Sequence, residues 1–188
     1  MNPADMKSRV VVLACFCAMI FVACQVDPQA PESNHKRFFD LEEYFAKEAV
    51  RLGEIGKARK TVFVGGKKEV LVFDSIGFGR DLQVFSKSDI NRPAWSDKYA
   101  IDSIFSQNTL TELRYHSKDD NLKTQSIVID FDDFMVSKIV VENSASSFFA
   151  SSSQLLTYEP QHGYTIKSEQ KVASNQGERF GVSVEFVE

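Results

Sequence analysis

Cysteine and basic charge are both limited in this chain of 188 residues. Its three cysteines, at positions 15, 17 and 24, all lie in the first 24 residues, so residues 25–188 can form neither a disulfide nor a cysteine metal site. The 22 basic side chains are fewer than the 26 acidic ones, and no basic stripe runs along the sequence. We therefore expect no nucleic-acid partner.

Catalytic motifs are also missing. The three histidines have no HExxH spacing, and none of the serines lies in a GxSxG elbow. The glycines at residues 77–79 lack the third glycine of a dinucleotide fingerprint, and residues 65–68 lack the Ser or Thr of a P-loop, so both indicate turns. The aspartates within residues 130–133 do not have EF-hand spacing and are typical of a hairpin turn. We predict a non-enzymatic protein without metal or cofactor; the less favoured alternative is a hydrolase using scattered carboxylates or His116.

The first two dozen residues combine a charged start with a short apolar run. Lys7 and Arg9 precede residues 10–23, which are 14 residues long and therefore short for a bilayer span of about 20. The run ends at Ala23-Cys24. The tetrapeptide FVAC at residues 21–24 resembles the lipobox of bacterial lipoprotein precursors, in which a peptidase cuts before a cysteine linked to diacylglycerol.

This resemblance implies three parts: a signal peptide over residues 1–23, a lipidated Cys24 followed by a flexible tether to residue 36, and one domain over residues 37–188. Two alternatives remain open. A second frame ending at Cys15 has better local residues but almost no apolar run before it, and the segment could also be an uncleaved anchor helix. The polar tether contains Pro28 and Pro31 and can bury little apolar surface.

The residues after Cys24 indicate which bacterial membrane would hold the lipid anchor. Gln25 stands where aspartate would be the inner-membrane retention cue of enterobacterial lipoproteins, which favours the outer membrane. The acidic cluster of surface-exported lipoproteins is represented only by Asp27, with Glu32 farther along. We therefore expect a lipid anchor in the outer membrane, with the periplasmic face favoured over the cell surface.

The remaining periodicity predicts the α+β class. Asp40 and Glu43 resemble a capping box, and apolar residues recur at helical spacing up to Leu52, so an amphipathic helix is predicted from about residue 40 to 52. A second, short helix is predicted over residues 81–88. Most other segments alternate with period two, beginning with a hairpin around the glycines at residues 65–66. The pattern predicts an N-terminal amphipathic helix packed on a long, curved antiparallel β meander.

Four short stretches of the sequence resemble those of a group of bacterial proteins. These are FFDL at residues 38–41, DINRPAW at residues 89–95, LTYEP at residues 156–160 and GYTI at residues 163–166. Together they resemble a group of lipoproteins of Bacteroidota bacteria whose function is unknown. The resemblance implies the same lipidated tether, helix and antiparallel meander, and no reaction. A looser likeness, in strand order alone, is to periplasmic lipoprotein carriers whose curved sheet holds lipid.

Two functions fit these expectations better than catalysis. The first is an outer-membrane-tethered lipoprotein that binds an envelope protein or has a structural role. The alternative is a carrier or receptor that binds an apolar ligand or lipid on the concave face of the sheet. The candidate contact residues for either function are aromatic: Trp95, Phe148, Phe149, Tyr158 and Tyr164.

Overall fold

The computed structural model describes residues 36–54, 57–73, 77–172 and 177–187. Cys24 and the predicted signal peptide lie outside the described residues. Within them, the helices are α1 (Leu41–Gly53) and α2 (Phe78–Ser86), followed by a short 3-10 turn (Pro93–Trp95). The strands are β1 (Lys57–Val64), β2 (Lys67–Phe73), β3 (Tyr99–Ser106), β4 (Thr109–Ser117), β5 (Thr124–Asp132), β6 (Met135–Ser146), β7 (Ala150–Glu159), β8 (Gly163–Val172) and β9 (Glu178–Val187).

All nine strands form a single antiparallel sheet in the order β2-β1-β9-β8-β7-β6-β5-β4-β3. The prediction of an antiparallel meander is confirmed for β3 to β9, and β9 then pairs with β1. Because the strands alternate in direction, the β1–β2, β4–β5 and β6–β7 connections lie at one end of the sheet. We call this the finger end. The β3–β4, β5–β6 and β7–β8 turns lie at the opposite end.

The N-terminus of α1 is held by its own cap and by a distant loop. The Asp40 carboxylate accepts a hydrogen bond of 2.9 Å from the Glu43 amide, as the capping-box pattern predicts. In addition, Asp89 Oδ2 accepts a bond of 2.9 Å from the Leu41 amide, and Asn91 Oδ1 accepts one of 2.9 Å from the Phe38 amide. Residues 89–91, which we call the DIN segment, thus fix the position at which α1 begins against the sheet.

The helices pack on one face of the sheet through large buried side chains. The ring of Phe45 on α1 lies with its centroid 4.8 Å from Phe85 on α2 and 5.1 Å from Tyr158 on β7. Other side chains in this layer are almost completely buried: Leu41, Leu52, Leu82, Ile90, Tyr99, Ile127, Ile129, Ile139 and Leu156. Close packing of these residues fills the space between α1, α2 and the central strands.

The second helix begins three residues before the predicted Asp81. Gly77 is its N-cap residue, and Phe78 is buried with its ring centroid 5.9 Å from that of Phe186. The apolar contact with β9, rather than a side-chain cap, therefore sets the start of α2. No local sequence signal marks this contact because Phe78 and Phe186 are more than 100 residues apart.

Candidate functional site

The face of the sheet opposite the helices carries a groove across four strands. The pairing register aligns Leu155 of β7, Lys167 of β8, Gly181 of β9 and Phe63 of β1 in one row. A Cβ atom on Gly181 would lie 3.5 Å from the Phe63 ring, so the missing side chain leaves a depression beside this ring. The row therefore forms the floor of a concave site on an otherwise open face.

The groove has a volume of about 560 Å³ and mixes apolar and charged groups. Phe63 and Leu155 keep 41% and 38% of their surface exposed, so both offer apolar area to a ligand. Glu169 lies on the rim between two cations, with its Oε1 atom 3.5 Å from Lys171 Nζ and 3.8 Å from Arg179 Nε. Lys167 forms no ion pair with another described residue. The site therefore suits a ligand that has apolar side groups and an anionic group.

Two partly buried clusters of ionisable groups join the helices to the sheet. In the first, Arg51 Nη2 lies 2.7 Å from Glu48 Oε2 and donates a bond of 2.8 Å to the carbonyl of Pro160. The Tyr158 hydroxyl donates to the same Glu48 carboxylate. Burial, together with this bond, raises the pKa of the Tyr158 phenol well above its usual value. The phenol is therefore neutral and acts as a structural donor.

The second cluster also consists of a tyrosine, a carboxylate and a basic side chain. Asp81 Oδ2 accepts a bond of 2.8 Å from the Tyr164 hydroxyl and lies 2.5 Å from Lys60 Nζ. Burial and the nearby Asp81 charge raise the pKa of the Tyr164 phenol. In both clusters, each carboxylate is already hydrogen-bonded and paired. These groups connect α1 and α2 to the sheet through polar contacts.

The structure separates the predicted contact residues. Tyr158 and Tyr164 belong to the partly buried clusters, and their rings face the helices. Trp95 is partly buried in the 3-10 turn, where the Arg92 guanidinium lies 4.3 Å from its ring centroid. By contrast, the paired Phe148 and Phe149 are exposed at the finger end. None of these five residues lines the groove.

The groove itself was not predicted from the sequence. Its central residues come from β1, β7, β8 and β9, and only the pairing register brings them into one row. The one available signal was Gly181, a glycine inside the last strand. A glycine inside a strand commonly marks a close approach of another group, and here that group is the Phe63 ring.

Among the described residues, no group of three or more His, Cys, Asp and Glu side chains has an arrangement that could hold a metal ion. None of the helices in this part of the chain is both long and apolar enough to cross a membrane. In comparisons with known proteins, no family model, curated protein or solved structure matches the chain.

Proposed function

We propose that this protein is a lipid-anchored binding protein of the bacterial envelope. In this proposal Cys24 carries the lipid, residues 25–36 form the tether, and the open face of the sheet binds an envelope protein. The observation that carries the binding role is the groove around Gly181, because it is a concave site with apolar area on a face that the helices leave open. The Cys24 anchor is supported by the lipobox resemblance alone.

The chemistry of the groove indicates the kind of segment that it binds. Phe63 and Leu155 favour an apolar side chain, while Lys167 and Arg179 favour a carboxylate on the same partner. The groove crosses the strands, so an extended segment lying along the row contacts both kinds of group. We therefore infer that the partner presents an extended segment with apolar and acidic residues.

Photo-crosslinking in intact cells tests this role. A photoreactive amino acid at Leu155 is placed on the groove floor, and the matched control at Phe105 is exposed on β3, at the far edge of the same sheet. We expect a discrete protein adduct from position 155 that is absent from position 105, and that Lys167→Glu weakens. Equal adducts at both positions, or none at position 155, would reject the groove as the binding site.

The apolar lining of the groove also favours a second candidate, a small apolar ligand. The sequence predicted such a ligand on the concave face of the sheet, in a trough left uncovered by the helix, but in the described structure the space between the helices and the sheet is occupied by fully buried side chains. A volume of about 560 Å³ is within the range of small-molecule pockets. Native mass spectrometry would show a co-purified apolar species in the parent protein, and Gly181→Leu would remove it by filling the groove.

A further inference from the structure

The end of the β6–β7 hairpin differs in composition from the rest of the chain. Residues 143–154, which we call the finger, contain no charged side chain, whereas 26% of the whole chain is charged. Pairing between β5 and β6 ends at Thr124 and Asn143, and β6 continues for three more residues, about 10 Å, before its turn. The finger therefore extends past the end of β5.

The tip of the finger presents two aromatic side chains to solvent. Phe148 is 91% exposed and Phe149 is 71% exposed, and their ring centroids lie 4.9 Å apart in an edge-to-face arrangement. The turn is closed by a bond of 2.8 Å from the Ser147 amide to the Ala150 carbonyl. Neither ring packs on the core, so folding stability does not account for this exposed apolar pair.

Three basic residues lie near the base of the finger: Lys123, Lys87, whose neighbour Ser88 accepts a bond from the Asn143 amide, and Arg92. The Ser144 amide donates a bond of 2.8 Å to the Lys123 carbonyl, which places Lys123 directly beside the finger. Burial, and then the positive charges of Lys87 and Arg92, lower the pKa of the Lys123 ammonium. Lys87 and Arg92 are therefore close enough to Lys123 to repel its charge, and an anionic surface would relieve this repulsion.

We propose that the finger end docks on an anionic lipid bilayer, with Phe148 and Phe149 in the interface and the Lys87, Arg92 and Lys123 cluster against the headgroups. Phenylalanine is among the apolar residues that interfacial segments bury at the boundary between headgroups and acyl chains, and a finger without charges avoids the cost of desolvating them. The hydrogen bonds between β6 and β7 pair the facing backbone groups of these two strands as far as the turn. Basic residues near the surface add attraction to anionic lipids.

The place where the described residues begin agrees with this orientation, a step that rests on the proposed function. Phe38 packs on Tyr99 and Tyr115, and Tyr99 is the first residue of β3, at the finger end. Eleven residues separate Cys24 from Lys36, and such a segment spans at most about 40 Å. This length allows the finger end of a lipidated chain to reach the bilayer.

Vesicle flotation with the mature chain, residues 24–188 carrying Cys24→Ser, tests the proposal without the lipid anchor. The vesicles contain phosphatidylglycerol and phosphatidylcholine, or phosphatidylcholine alone, and circular dichroism checks the fold of each variant. We expect the double variant Phe148→Ser/Phe149→Ser to bind the anionic vesicles at least about tenfold more weakly. The matched control, Phe134→Ser, removes a 78% exposed phenylalanine at the opposite end and should leave binding unchanged.

The role of the basic cluster is tested by a separate double variant. Lys87→Gln/Lys123→Gln should weaken binding to anionic vesicles and abolish the preference for them over neutral vesicles.

Insertion of the finger tip is measured by fluorescence. In Phe148→Trp, the emission added to that of Trp95 should be quenched by brominated acyl chains, which reports insertion even if the serine variant misfolds.

Three results would overturn the proposal: no vesicle binding by the parent chain, equal loss in Phe134→Ser, or no quenching at position 148. Binding to native envelope fragments but not to pure lipid would assign the finger to a protein partner and would also overturn it. The use of Cys24→Ser makes the outcome independent of lipidation.

Discussion

Replacing Asp89 tests whether the DIN segment determines the docking of α1. Asp89 Oδ2 accepts bonds of 2.9 Å from the Leu41 amide and 3.4 Å from the Glu42 amide, while Oδ1 accepts one of 2.7 Å from the Asn91 amide. These donors include the unsatisfied amides at a helix N-terminus, where a negative charge is also favoured. Asp89→Ala therefore removes both the acceptors and the charge from a partly buried site.

The magnitude follows from these contacts. A hydrogen bond to a charged group contributes about 1.5–3 kcal/mol, and partial exposure of this site reduces the sum, so we expect Asp89→Ala to cost about 2–3 kcal/mol. For a domain of this size the change corresponds to a Tm lowered by about 5–10 °C. The local cap, Asp40→Ala, loses a single amide bond and should cost about 1 kcal/mol.

Urea and thermal unfolding of residues 24–188 with Cys24→Ser, followed by circular dichroism, measure both variants. Asp89→Asn is the conservative control: it keeps an oxygen acceptor but loses the charge, so it should lie between the parent and Asp89→Ala. The reasoning fails if Asp89→Ala is no more destabilising than Asp40→Ala. That result would mean that α1 docks through apolar packing alone.

Three further predictions concern stability. Gly163→Ala should cost about 3 kcal/mol or more, because φ is +140° and the new Cβ would lie 1.9 Å from a β9 carbonyl oxygen, whereas Gly53→Ala meets nothing within 4 Å and should be neutral in the same urea titration. Tyr158→Phe should cost about 1–3 kcal/mol. Because folding raises the pKa of Tyr158, its contribution is complete below about pH 10 and declines above it, so the variant should lose less stability than the parent as the pH rises above about 10; the same slope in both proteins would contradict this. Phe134→Gly should raise the unfolding free energy by about 0.5–1 kcal/mol, since Phe134 has φ +62° in an exposed turn, and a lower Tm would show that the side chain stabilises the turn.

Local signals in the sequence predicted much of the secondary structure. Gly65 and Gly66, with φ of +54° and +84°, form the predicted hairpin turn because glycine adopts these angles without steric cost. The turn at residues 132–135 was predicted from its aspartates, but the positive φ of Phe134 was not, since a bulky residue rarely adopts it.

Contacts between residues far apart in the sequence had no comparable local signal. The pairing of β9 with β1 joins residues more than 100 positions apart, and alternation in each strand is compatible with many neighbours. The buried pairs of Tyr158 with Glu48 and Tyr164 with Asp81 arise from this arrangement. The groove depends on the same pairing, because without it Gly181 and Phe63 would not be adjacent.

Intact mass spectrometry of the protein extracted from the membrane fraction tests the lipid anchor most directly, since the proposed location and orientation both depend on it. The full-length chain is expressed in a bacterium, with Cys24→Ser as the control. We predict a protein that begins at Cys24 and carries the mass of a diacylglyceryl group and an amide-linked acyl chain, and a control without this added mass. A chain that retains residues 1–23, or that carries an unmodified Cys24, would contradict the account.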